Sequence, residues 1–454
     1  MSRPDLAPIR RTLEGVINSI LVTCDADGRP NASIISQVHW VDDERVALSY
    51  QFFNKTRRNL LATRMATVEV VDPMTAARWR LQLDYEETLS AGPLFETMKA
   101  KLAGIASHHG LEAVFRLLGS DVFRVREIEH VLALEAPEPE PRPLLAAARA
   151  CCAEIAACRD AEDLVDTVLR GLSERFGIAH AILLVSEGDG RLFAVASHGY
   201  RDSGVGAEVL PGEGVIGVAA REGVPIRIGH MTNEYRYGAA LGAAAARAGL
   251  IAGPPPTVPF PGLARPGSQI AVPVSSQGRL LGVLFAEDPA PMRFWHDDED
   301  ALALVASHLG ASLTALALRS RDEAAASSRP AAPPAPPARE DSGMTVRHYP
   351  FDDSVFLGHD YLIKGVAGAI LWTLLRQYVE TGRTEFTVRE LRLDPSLRLP
   401  LHAENLDTRL VLLRRRLDEK DACIRLEKTG RGLFRLIAAC PLRLEEVGET
   451  VPAA

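Results

Sequence analysis

Two stretches of this 454-residue chain resist packing into any domain, and they set its architecture. Residues 135–143 read EAPEPEPRP, and residues 329–339 read RPAAPPAPPAR. Proline lacks a backbone donor and fixes φ, so the first run favours an extended spacer. The second reads as polyproline-like and structureless. With their flanks they leave three regions: 1–134, 144–322 and 344–445, joined by linkers at 135–143 and 323–343. At roughly 100–200 residues per domain, three is also the number the length suggests. Each region can bury a core of its own, since 47% of residues are hydrophobic.

A formal net charge of -8 gives the whole molecule no bulk attraction to nucleic acid, so any such contact needs a local patch. Arg3, Arg10 and Arg11 have no apolar run behind them, which argues against a secretory leader. The run from Val366 to Leu375 is too short to span a bilayer, so no membrane association is expected. Six scattered cysteines (Cys24, Cys151, Cys152, Cys158, Cys423 and Cys440) suit a reduced, cytoplasmic protein. Cys151 and Cys158 share a helix face, but paired C-x-x-C spacing is missing. Buried structural thiols are expected rather than a metal site.

In the first region, Val16 to Cys24 is an apolar-rich run closed by the turn Asp25-Ala26-Asp27-Gly28. Asn31 to Val41 alternates, Asp42-Asp43 turns, and Arg45 to Tyr50 follows, which predicts an antiparallel meander or barrel. Further strands are expected at Ala66 to Val71, Arg78 to Leu89 and Asp121 to Val131, with a helix from Leu94 to Ala106. Next to one strand lie Lys55, Thr56, Arg57 and Arg58. Point charges, forked donors and a hydroxyl are what a phosphate needs. A solvated loop that begins a helix is the alternative.

The run from Gly15 to Leu60, GVINSILVTCDADGRPNASIISQVHWVDDERVALSYQFFNKTRRNL, resembles the pyridoxamine 5'-phosphate oxidase-like split barrel, and the resemblance covers residues 10–131. It implies FMN, with Ser33, Ile34, Ile35, Ser36 and Gln37 along the flavin ring and Lys55, Thr56, Arg57 and Arg58 on its phosphate. Members of that family also hold deazaflavin or haem. His39, His108 and His109 keep haem open, although lone histidines more often serve the core or surface. The carboxy-terminal Arg-x-His element of the true oxidase is missing, so vitamin oxidation is not expected. An FMN-dependent oxidoreductase with regulatory domains remains one reading, in which the flavin carries the chemistry. No catalytic residue can be named.

In the middle region, Leu164, Val165, Val168, Leu169, Leu172 and Phe176 define an amphipathic helix. Strands follow at His180 to Val185, Leu192 to Ser197, Ser268 to Pro273 and Leu280 to Glu287, and a last helix at Asp297 to Leu318. GEGVIGVAAREGVPIRI and SQIAVPVSSQGRLLGVLFAED resemble a GAF domain, over about residues 150–320. The resemblance implies an α/β/α sandwich that holds a small-molecule ligand or dimerises. The long connection from Asn233 to Gly267 reads as a binding loop or as a packing insertion. Tyr235, Tyr237 and Arg247 are its candidate ligand contacts.

In the third region, Tyr361 to Val379 is helical by pattern and Gly382 closes it. Thr387 and Glu390 form a capping box. Leu406, Leu410, Leu413 and Leu417 mark the core stripe of the strongest helix. Strands Ile424 to Lys428 and Leu433 to Ile437 flank a hairpin turn. EFTVRELR, NLDTRLVLLRRRLDEK and IRLEKTGRGLFRL resemble the winged helix of response-regulator effectors. From Asn405 to Arg435 nine Lys/Arg face five Asp/Glu, a local excess that fits phosphate contact. Arg409, Arg414, Arg415 and Arg416 on the helix, with Lys428 and Arg431 on the wing, are the DNA candidates. Val411 and Leu412 lie opposite the leucine stripe and suit a protein interface instead. The expectation is thus a multidomain α+β chain: antiparallel split β-barrel, GAF-type α/β/α sandwich, C-terminal winged helix. Its expected role is a homodimeric, flavin- and ligand-responsive transcription regulator. A signalling adaptor whose winged helix binds protein is the other non-enzymatic reading.

Overall fold

A computed structural model describes residues 4–13, 18–35, 37–51, 54–72, 75–108, 117–132, 142–187, 190–229, 258–326, 343–397, 406–430 and 432–447. The first region contains strands β1 (Ser19–Cys24), β2 (Pro30–Ile35), β3 (Val38–Asp42) and β4 (Arg45–Tyr50), then helix α1 (Lys55–Thr63). Strands β5 (Met65–Val71) and β6 (Arg78–Leu89), helix α2 (Pro93–His108) and strand β7 (Gly119–Leu132) complete it. The strands form one antiparallel sheet in the order β2-β1-β5-β6-β7-β4-β3. Of the two expected forms, meander or barrel, this order excludes a simple sequential meander. The run from Asn31 to Val41 is two strands, and β2 and β3 lie at opposite edges of the sheet. The alternation of that run is real, but it cannot reveal that the chain changes partner within it. Leu21, Val46, Val68, Leu81, Leu83 and Phe123 fill this core.

The middle region runs α3 (Leu144–Ala157), α4 (Ala161–Phe176), β8 (His180–Ser186), β9 (Leu192–His198), β10 (Glu208–Val209) and α5 (Gly214–Glu222). It continues with β11 (Ile226–Ile228), β12 (Ser268–Ser276), β13 (Arg279–Asp288) and α6 (His296–Ala326). Its sheet has the order β10-β9-β8-β13-β12-β11. Helices α3, α4 and α6 pack on one side and α5 on the other. Asp160 caps α4 by accepting the N–H groups of Glu162 and Asp163, and Gly177 ends it at φ +63°. Within α6, His296–Arg319 is long and apolar enough to cross a bilayer by length and composition. Leu302, Val305, Ala306 and Leu309 are nevertheless buried in the middle core. Cys151 and Cys158 are buried there too.

The third region opens with β14 (Met344–Tyr349), β15 (Ser354–Leu357) and β16 (Asp360–Ile363). Then come α7 (Gly365–Thr381), β17 (Glu385–Thr387), α8 (Val388–Leu393), α9 (Leu406–Glu419), β18 (Ile424–Gly430), β19 (Leu433–Ala438) and β20 (Leu442–Glu446). Tyr361 and Leu362, expected in a helix, belong to β16 instead; α7 starts at Gly365, whose φ of +67° breaks the strand from the helix. One sheet has the order β16-β15-β14-β20, with β14 and β20 parallel; the other is β17-β19-β18. Cys423 and Cys440, expected as separate reduced thiols, form a disulfide where the β18–β19 hairpin brings its ends together.

The regions do not pack independently. The buried apolar residues of the middle and third regions form one continuous cluster. Ala100 of α2, from the first region, is fully buried in the second middle-region cluster, against α5 and β11.

Candidate functional site

The cationic segment of the first region is the start of α1. Asn54 is the N-cap, its side chain accepting the Arg57 N–H. A cavity of about 130 Å³ lies beside it, lined among others by Ser33, Ile34, Ile35, Leu48, Thr56 and Phe123. Thr56 Oγ1 donates to Ser33 Oγ at 3.1 Å and accepts from Asn31 Nδ2 at 2.9 Å. The polar group is therefore tied to β2, the strand expected along the flavin ring.

Arg57 also lines this cavity, but its donors are engaged within the protein. It reaches Asp121 Oδ1 at 2.5 Å and Thr88 Oγ1 at 2.7 Å, and stacks 4.5 Å from the Tyr50 ring centroid. Burial raises the Asp121 carboxyl above its ordinary value, against the opposing pull of Thr88 and Arg57. Lys55 and Arg58 are exposed at the start of α1, and among the described residues neither has an ion-pair partner. Gln37 is buried, its backbone oxygen accepting from Ser49 N. Ser36 lies outside the described residues, as do His109, Tyr235, Tyr237, Arg247 and Arg431. Asp121, Thr88 and Tyr85 were not legible as site residues, because β6 and β7 bring them to Arg57 from far along the chain.

The basic helix of the third region lies on the middle region. Arg409 Nη2 donates to Ser186 O at 2.5 Å, and its Nη1 lies 3.5 Å from Glu187; both of these side chains are buried. Arg414 pairs with Glu162, Arg415 with Asp166 at 2.6 Å, and Lys428 with Asp160 at 2.6 Å. Among the described candidates Arg416 alone makes its hydrogen bonds and ion pair within its own region, donating to Leu362 O at 2.8 Å and pairing with Glu419, while its side chain lies against Gly206 of the middle region. Burial pulls the Arg414 pKa below its ordinary value. Burial would raise the Asp160 carboxyl, but the Asp163 N–H and the Lys428 ammonium hold it lower than usual. A cavity of about 90 Å³ sits at this seam, between Ala161, Val388, Leu410, Val411, Arg414 and Phe434. The signal for the contact was present in the sequence as four acidic residues at Asp160, Glu162, Asp163 and Asp166, but nothing local named their partner.

A family model described as a GAF domain matches residues 158–314, and that segment is a GAF domain. Among solved structures the chain is similar to an FMN-binding protein from Syntrophomonas wolfei subsp. wolfei. Identity is 22%, coverage is 29% of this chain and 93% of that one, and the TM-score is 0.24. It is also similar to the GAF domain of an Acinetobacter phosphoenolpyruvate-protein phosphotransferase (16% identity, 41% and 96% coverage, TM-score 0.29). A third is the free methionine-R-sulfoxide reductase of Neisseria meningitidis in complex with its substrate (20%, 42% and 99%, TM-score 0.30). No curated protein matches the sequence.

Proposed function

We propose that the chain is a flavin- and small-ligand-responsive signalling protein, with a split barrel as cofactor domain and a winged helix as its DNA-reading output. One observation carries the flavin part. At the head of α1 a cavity holds apolar walls and a linked pair of hydroxyls. Lys55 and Arg58, exposed and without ion-pair partners among the described residues, do not line it but are chain neighbours of its lining residues Asn54, Thr56 and Arg57. Ile34, Ile35 and Phe123 suit a planar ring, Ser33 and Thr56 its polar edge, and Lys55 and Arg58 a phosphate. Arg57, held by Asp121 and Thr88, fixes the wall rather than offering its charge. Bound FMN would supply the redox chemistry, and the protein would orient and tune it.

Ile34 lines the cavity and is 76% exposed, next to exposed Ile20, its cross-strand partner. That apolar stripe supports a homodimer joined through β1 and β2. The adaptor reading is favoured by one observation of its own, which is that the output helix already meets protein: Leu412 is 1% exposed.

The test is an absorption spectrum of the purified full chain, followed by denaturation. A flavin spectrum with FMN released into the supernatant is expected. A colourless, folded protein that takes up no added FMN overturns the flavin assignment, and a haem spectrum replaces it. Steady NAD(P)H consumption by the flavin-loaded chain shifts the reading to an oxidoreductase. Salt-dependent binding of duplex DNA tests the output.

A further inference from the structure

Every described DNA candidate on α9 and β18 except Arg416 is turned onto the GAF domain. Arg409, Arg414, Arg415 and Lys428 reach Ser186 and Glu187, Glu162, Asp166 and Asp160 in turn. On the helix circumference Leu412 falls between Arg409 and Arg415, and it is buried. The helix is therefore covered on the face opposite its own leucine stripe as well as on that stripe. Its partner is anionic and regularly spaced, with Glu162 and Asp166 one turn apart on α4 and Asp160 at its cap. A row of carboxylates facing a basic helix presents the same chemistry as a row of phosphates.

We propose that the start of α4 occupies the nucleic-acid face of α9 as a reversible electrostatic clasp, so that the described arrangement excludes a duplex from that face. This rests on the DNA-binding reading above. The outer pairs are built to open, since Asp160 and Asp166 are substantially exposed and exposed pairs weaken as salt screens them. A GAF ligand can open the clasp only by binding the open arrangement more tightly than the closed one.

The test uses the full chain carrying Asp160→Asn, Glu162→Lys and Asp166→Lys. Asparagine at position 160 retains the helix cap while removing its charge. Hydrogen exchange over residues 406–430 is read without DNA, and affinity for a labelled duplex is read at one fixed salt concentration. At least tenfold faster exchange together with at least tenfold tighter DNA binding is expected. Adding Arg414→Glu and Arg415→Glu should restore slow exchange, which separates an opened clasp from a damaged fold. Unchanged exchange in the triple variant overturns the clasp, and the DNA reading then stands or falls on the wild-type affinity. A variant that opens, recloses in the charge swap and still binds no duplex overturns the DNA reading and, with it, the exclusion. Wild-type chain that binds DNA as tightly as the opened variant shows that both partners fit at once, and overturns the proposal.

Discussion

Arg415 Nη2 lies 2.6 Å from Asp166 Oδ1, bringing together two residues 249 positions apart and joining α9 to the GAF domain. Asp166 is 57% exposed. The pair is a contact at the edge of the interface, and Arg409 with Glu187 is its buried counterpart.

That difference sets the first prediction. Asp166→Ala should lower stability by less than about 1 kcal/mol, as exposed pairs do. Glu187→Ala removes the carboxylate beside a guanidinium that is itself 5% exposed, and should destabilise by roughly 3 kcal/mol. Denaturant midpoints of the two variants check the order; equal losses would show that burial does not govern this interface.

In the first region, Asp121→Ala strips Arg57 of its carboxylate in a nearly buried setting. A loss of about 3 kcal/mol is expected, and Arg57→Lys should recover little, because a point charge cannot serve Asp121 and Thr88 together. Thermal unfolding of the two single variants measures this.

Ile34→Asp places a charge on the exposed apolar stripe of β2 while leaving the sheet core untouched. The proposed dimer should dissociate, as read by sedimentation. A variant of unchanged mass in solution would place any dimer contact elsewhere.

Burial pushes the Cys151 thiol up to about 12, from an ordinary 9.0. The folded chain therefore holds this proton more tightly than the unfolded one. The stability so gained is fully present below pH 9.0 and is lost as pH rises towards about 12. Cys151→Ala should flatten the fall in stability over that window, and the native thiol should resist alkylation near neutrality.

The Cys423–Cys440 bond closes a 17-residue separation that contains the β18–β19 hairpin. Reduction should lower the unfolding midpoint of the third region by the equivalent of about 3 kcal/mol, the scale for a loop of this size. Melting with and without a reductant reads it.

Local signals in this chain were reliable where the cause is local. The Thr387–Glu390 capping box, the Gly382 helix end and the amphipathic α4 are all where residue spacing put them. What failed depends only in part on contacts far apart in sequence. Tyr361 is drawn into β16 by the adjacent strand β15, where it faces Phe356, a short-range pairing hidden by the apolar helical pattern that follows it. β20 pairs with β14 about a hundred residues away, a contact no window could show. The separation of β2 from β3 is the same kind of event. Ser33 and Thr56, which line the cavity beside α1, were legible as candidates because the resemblance names them. Asp121 was not, since its role exists only once β7 lies beside Arg57.

Ala100 bears on how the chain can be dissected. It belongs to the first-region side of the proline-rich spacer, yet it is fully buried in the GAF core, where Lys99 reaches Glu222 beside it. A fragment beginning at residue 142 would lack that helix and leave a naked apolar patch over α5. Composition marks where the polypeptide can be cut, and a single methyl group marks where it should not be.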